Sequence, residues 1–194
     1  MQTNLALHAP LFGGAVLMNG VPVINEGSMR LIQTKGGIIS LNNVVTGATP
    51  YFAYFGSVMT VNPAGDQAAF YVGNPTTTYS VIGILLNEQG VRMNDPAKPT
   101  YIMNEMPATV VVGGRVWINS WDTTFAGALA VPVVGCRVIY RMASASAVLV
   151  GGMIGFLAAA GAIPGTHAQL NAAVVGVNGI TGSCDLDLHS PAAT

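Results

Sequence analysis

No amphipathic stretch of this chain reaches a dozen residues at helical spacing, and that constrains the fold more than any other feature. Short runs rich in β-branched and aromatic residues recur instead, each closed by Gly, Pro or Asn. With 24 Gly and 11 Pro in 194 residues, turn chemistry is available every few positions, so the apolar runs can be staves of a sheet but not long helices. The expected strands lie at 51–55, 57–61, 68–72, 79–86, 101–103, 131–134, 137–141, 172–177 and 184–188, with Asn62-Pro63-Ala64-Gly65-Asp66 as a turn. Single helical turns are the most that 158–160 and 166–171 offer. About ten short strands of this kind describe a β-barrel or sandwich.

The stretch from Val110 to Trp121 reads as a β-hairpin, with Gly113-Gly114 as a two-residue turn between β-branched runs. On its return strand Val116 and Ile118 face one side, and Arg115, Trp117 and Asn119 the other. Both faces carry bulk, so Trp117 is either core or held against another protein. From Ser146 to Pro164 a second stretch carries no charge, close to the lower limit for a membrane-spanning helix. Its glycines and small alanines, the closing Pro164 and the lack of Trp, Tyr or Lys anchors argue against spanning. A buried hairpin turning at Gly151-Gly152 uses the same residues, as does a short buried helix.

Residues 1–49 differ in character, because Pro10, Gly13-Gly14, Gly20, Pro22, Gly27, Gly36-Gly37 and Gly47 break every apolar run before it can fill a layer of a core. They read as an extended N-terminal arm that docks elsewhere, while residues 50–194 form the β domain. Short pieces such as Ile38-Ile39-Ser40-Leu41 can add a strand to a sheet edge.

Charge is scarce. Only 8% of residues are Asp, Glu, Lys or Arg, where an ordinary soluble domain has about 25%, and 51% are hydrophobic. A net charge of −1 supplies no field to attract a polyanion, so nucleic acid is excluded as the expected partner, and association with other protein is favoured. The first nine residues have neither a basic nor a continuous apolar region, so no secretory signal is expected.

A search for reactive groups returns little. Cys136 and Cys184 sit in apolar, strand-like contexts, and buried free thiols are expected, with pairing left open. His8, His167 and His189 have no second ligand at metal-binding spacing and read as solvated loop or terminal residues. Asp185 and Asp187 alternate with Leu186 and Leu188, which is the polar side of a half-buried strand more readily than a calcium or acid–base site. Ser144 and Ser146 follow Arg141 with no base nearby in sequence, and Arg92 and Asp95 suggest a local ion pair. No catalytic residue, metal or cofactor is expected.

The order of short landmarks resembles that of bacteriophage capsid cement (head decoration) proteins. They are Tyr54-Phe55-Gly56-Ser57-Val58, Val81-Ile82-Gly83-Ile84-Leu85-Leu86, Gly114-Arg115-Val116-Trp117-Ile118 and Gly127-Ala128-Leu129-Ala130-Val131. Gly161-Ala162-Ile163-Pro164-Gly165-Thr166-His167-Ala168-Gln169-Leu170 and Thr181-Gly182-Ser183-Cys184-Asp185-Leu186-Asp187-Leu188 follow, so the resemblance covers roughly 50 to 190. It implies an all-β fold, a small antiparallel β-barrel or β-tulip/sandwich-like domain without catalysis. Such a domain settles over junctions between major capsid proteins on the outside of the virion head. The partners implied are the major capsid protein and neighbouring copies of the chain, in a trimer or otherwise, with no membrane. Candidate contact residues are Arg115, Trp117 and Trp121, because Trp and Arg dominate many interfaces, and Leu11, Phe12, Met18, Met29 and Ile32 of the arm. The alternative is a tail or receptor-binding virion component that binds a glycan through loops 62–66 and 87–99.

Overall fold

The computed structural model describes residues 21–22, 33–40, 52–73, 78–86, 101–103, 107–145, 150–178 and 183–188. Among them there is no helix. The strands are β1 (Val21–Pro22), β2 (Gln33–Ile39), β3 (Phe52–Tyr54), β4 (Val58–Val61), β5 (Ala69–Val72), β6 (Ser80–Leu85) and β7 (Tyr101–Met103). They continue as β8 (Pro107–Ile118), β9 (Arg137–Arg141), β10 (Ile154–Leu157), β11 (His167–Gln169), β12 (Ala172–Asn178) and β13 (Ser183–Leu188).

Five of these close on themselves. β8 pairs with β2, β2 with β5, β5 with β4, β4 with β6, and β6 returns to β8, which makes a small closed barrel. Every seam is antiparallel except β2–β5, which is parallel. Closure removes the open edges that would otherwise be left on staves this short. β2 lies within the region expected to be an arm, and it is a stave of this barrel; residues 1–20, 23–32 and 41–51 lie outside the described residues.

β8 is the structural axis. Gly113-Gly114, expected as a hairpin turn, lies inside one continuous strand of twelve residues. A two-residue turn of the favoured kind needs positive φ at both central residues, and only Gly114 has it, at +105°. The flanking runs also find distant partners. Residues up to Gly113 pair with β2, and from Gly114 onward the strand pairs with β13, while β1 pairs at Val116 and Trp117. The Gly-Gly pair therefore marks where β8 leaves the barrel and joins the β12–β13–β8 sheet.

Strand alternation splits the interior into two cores. Met59, Leu85 and Val110 point into the barrel with Ile39, Phe55 and Phe70. Their chain neighbours Val58, Ile84 and Val111 point the other way, into a second core with Val116, Ile118, Leu186, Val138, Tyr140, Ile154 and Phe156. The wall formed by β4, β6 and β8 is thus buried on both faces, which is why β4 reads Val-Met-Thr-Val without alternation. A three-stranded sheet, β10–β9–β11, supplies the far side of the second core.

The uncharged stretch after Ser146 contains a turn at Gly151-Gly152 followed by β10, which pairs with β9, while residues 148–149 of the expected hairpin's first arm lie outside the described residues. No helix among the described residues is long and apolar enough to cross a membrane. Residues 166–171, expected as a helical turn, contain β11, and 158–161 form a turn closed by Gly161 N–H to Ala158 C=O. The expected turn at 62–66 is present, with Asn62 Oδ1 accepting from Ala64 N–H and Asp66 Oδ1 from Ala68 N–H.

Candidate functional site

The expected contact residues fall in two places. Arg115 and Trp117 share the outer face of β8, opposite Asp187 and Asp185 of β13, while Val116 and Ile118 are fully buried on the inner face. Arg115 lies 3.7 Å from the Asp185 carboxylate, and the Trp117 indole N–H donates to it. Burial raises the Asp185 carboxyl above its ordinary value, and these two partners pull it back. Trp117 is therefore half-buried outside the core. Asp185 and Asp187 form the polar side of β13, between the buried Cys184, Leu186 and Leu188.

Trp121 lies elsewhere, beside the second core. Its ring meets Phe156 edge-on at 5.6 Å, and its indole N–H donates to the Ala130 carbonyl at 3.3 Å. Leu11, Phe12, Met18, Met29 and Ile32 lie outside the described residues, as do Arg92, Asp95, His8 and His189.

Residues 121–136 cover the β9–β10–β11 sheet and then leave it. Asp122 bridges Gly155 and Ala128 bridges Leu157, while the Phe125 ring lies over Gly155, close enough that any side chain there would collide with it. Beyond Ala130 the chain turns outward. Residues 131–134, expected as a strand, form an exposed turn, because Pro132 has no N–H to give a ladder and sits buried beneath its neighbours. Val131, Val133 and Val134 are 64%, 54% and 68% exposed. Cys136 N–H donates to Val133 C=O at 3.1 Å and Gly135 takes a positive φ of 83°, so the turn is tied at its base.

Under this loop lies a cluster that sequence reasoning missed. Asp122 Oδ2 accepts from Arg141 Nε at 2.8 Å and from His167 Nε2 at 3.1 Å. Asp122 Oδ1 accepts from the Thr124 hydroxyl at 2.6 Å and from the Thr124 N–H at 2.9 Å. Arg141 also donates to the Thr124 hydroxyl at 3.1 Å, and Phe125 lies against the imidazole with ring centroids 4.5 Å apart. Arg141 and His167 are cross-strand neighbours on β9 and β11, so the sheet fixes them side by side and the loop brings the carboxylate to both.

His167 is thus buried, not a solvated loop residue. Burial drives its pKa below the ordinary value and Arg141 adds to this, against the pull of Asp122. In the neutral ring Nε2 carries the proton for Asp122, and Nδ1 accepts from the Thr166 hydroxyl at 2.9 Å. Burial pushes the Asp122 carboxyl up, but its hydrogen bonds from Thr124, Arg141 and His167 together outweigh this and hold it below the ordinary carboxylate value. Hydroxyl, imidazole and carboxylate stand in the order of a nucleophilic relay. The carboxylate, however, is already matched by a guanidinium, and the imidazole is wholly enclosed, with no solvent-exposed side-chain surface. The arrangement can fasten a loop; it does not present a base to a substrate. Ser144 accepts from Gly151 N–H at 2.9 Å and closes the neighbouring turn.

Cys136 and Cys184 are free and buried. Burial pushes both thiols up, Cys184 to about 12. Among the described residues no group of His, Cys, Asp and Glu could hold a metal ion. A closed β-barrel flanked by a second apolar core, with an uncharged turn projecting from it, makes this an all-β protein. No protein-family model matches the chain, and no curated protein matches its sequence.

Proposed function

We propose that this protein is a structural component of a virion. It binds the outer surface of a mature phage capsid and stabilises contacts between major capsid proteins, as a cement (head decoration) protein does. The observation that supports this reading is the turn bearing Val131, Val133 and Val134. Single exposed apolar residues are ordinary on a protein surface. Three valines more than half exposed within four residues are not, and no ionised side chain lies between Thr123 and Cys136 to favour water there.

The turn is also held in place before any partner arrives. Trp121 grips Ala130 and the Asp122–Arg141–His167 cluster locks the preceding loop to the sheet, so little conformational entropy remains to be lost on docking. Fully burying a valine contributes about 1.5–3 kcal/mol at most, so one turn binds weakly and many copies on one shell bind well. A protein that recognises the mature lattice and not its precursor stabilises the mature state by mass action alone. On this reading no catalysis is required, the contact face includes Trp121, and Arg115, Trp117 and the arm residues are secondary contacts. The chain works on the head exterior after synthesis in the host cytoplasm.

The test is co-sedimentation of the purified chain with mature heads and with unexpanded precursors. The chain is expected to pellet with mature heads alone. Val131→Lys combined with Val134→Lys should weaken binding at least about tenfold without changing the melting temperature. Failure of the unaltered chain to pellet with mature heads would sink the proposal. The arm is tested by deleting residues 1–20, since a deletion reaching residue 49 also removes the barrel stave β2.

A further inference from the structure

We propose that two copies of this chain pair antiparallel through β12, extending their β12–β13–β8 sheets into one. Among the described residues β12 hydrogen-bonds as a strand to β13 alone, so its other edge ends the sheet. Soluble proteins blunt such edges with lysine, proline, an inward-pointing charge or a bulge. Ala172-Ala173-Val174-Val175-Gly176-Val177-Asn178 has no lysine, proline or charge and only the last of these devices. Its one irregularity, a bulge between Val174 and Gly176, leaves an exposed valine at 175 and not a charge.

The core is open at one end of this edge. Val177 is the register partner of Cys184, so the two side chains share a face of the sheet. Cys184 is 1% exposed and Val177 39%, while Val174 further along the same face is buried. At Val177 the apolar interior reaches the side of β12 with nothing laid over it among the described residues. A further strand on this edge would cover Val177, and the strand most complementary to an uncharged, valine-bearing edge of seven residues is the same edge turned about a two-fold axis.

Charge permits the approach. The chain carries a net charge of −1 and β12 carries none. The nearest carboxylates stand on β13, where Asp185 is matched by Arg115 and Asp187 faces Arg115 across the ladder. An antiparallel register centred on the edge puts the axis at Val175, where two Cα atoms would stand about 4.5–5.5 Å apart, within disulfide reach. This pairing is independent of capsid binding, which uses the turn at 131–134.

The experiment uses the full chain. Sedimentation velocity over a concentration series should show a reversible monomer–dimer equilibrium with a Kd in the range of about 1–100 μM. Val177→Lys should raise that Kd at least about tenfold, whereas Val131→Lys should leave it unchanged. Val175→Cys should form a disulfide-linked dimer under mild oxidation, with Ala173→Cys and Val177→Cys covering a slipped register. These cysteine variants decide the matter if Val177→Lys fails to fold. A monomer at every concentration, a dimer indifferent to Val177→Lys, or no cross-link at 173, 175 or 177 would each overturn the pairing. So would dimerisation that appears only after residues 1–20 are removed, since that segment would then be the occupant of the edge.

Discussion

Arg141 and Asp122 meet at a single carboxylate oxygen, with Nε at 2.8 Å and Nη2 at 2.6 Å from Oδ2, in a space that leaves the two side chains 7% and 0% exposed. A buried pair of this kind contributes little net stability over a well-packed apolar pair, but breaking it strands a charge. Asp122→Ala should therefore cost about 3–5 kcal/mol, because Arg141 stays buried with only the Thr124 hydroxyl in place of the carboxylate. Asp122→Leu combined with Arg141→Met should recover much of that loss. Denaturant unfolding of the two single variants and the double variant gives the cycle, and a double variant as unstable as Asp122→Ala would show that the cluster acts through more than its charges.

The same cluster sets a pH dependence. His167 has a lowered pKa in the folded protein, so below about pH 6.5, its ordinary value, the unfolded chain binds a proton that the folded one refuses. Its contribution is complete above that pH and declines as pH falls toward the folded pKa, by up to about 1.4 kcal/mol per pH unit. Asp122, also lowered, keeps its contribution above its ordinary value of 3.8 and loses it only in stronger acid. Melting temperature measured from pH 8 to pH 4.5 should fall below about pH 6.5, and His167→Asn should flatten the curve in that window. An unchanged slope in the variant would assign the acid sensitivity to other groups.

Local chemistry was legible in the sequence and long-range chemistry was not. The turn at Asn62 to Asp66 follows from side chains capping N–H groups two residues on, and the alternation of Arg115 and Trp117 with Val116 and Ile118 follows from the period of a strand. At Gly113-Gly114 a turn and a continuous strand differ only in which partners arrive, and β2, β13 and β1 all come from distant parts of the chain. The burial of His167 has no local signal because it depends on a carboxylate 45 residues away. Two signals for the cluster were present. Arg141 shares its strand face with the buried Ile139, where a charge requires a partner, and Asp122 precedes Thr124 at the spacing of a local side-chain turn.

Both thiols should be inert in the native state. Burial lifts Cys184 to about 12 and Cys136 above its ordinary value, so neither supplies thiolate at neutral pH. Aromatic disulfide reagents at pH 8 are expected to label neither cysteine until denaturant is added, with labelling then following the unfolding curve. Rapid labelling of native protein would show that the second core opens without global unfolding.

Two glycines with nearly the same backbone angle separate conformational strain from collision. Gly135 has φ +83° and open space where a side chain would stand, whereas Gly152 has φ +79° and a Cβ placed there would lie 2.7 Å from the Val58 carbonyl oxygen. That carbonyl accepts from Gly73 N–H, and the Gly152 carbonyl accepts from Val58 N–H, so the strand and the turn are tied at this point. Gly135→Ala should cost only the left-handed conformation, about 1–2 kcal/mol. Gly152→Ala carries the same strain and must also push the turn away from β4, loosening the hydrogen bond that joins the barrel wall to the Gly151-Gly152 turn. Its loss should exceed that of Gly135→Ala by at least about 1 kcal/mol, read as the difference between the two denaturation midpoints at equal m-value. Equal losses would mean that the turn yields freely and that the two cores are less firmly joined than the register of β4, β9 and β10 implies.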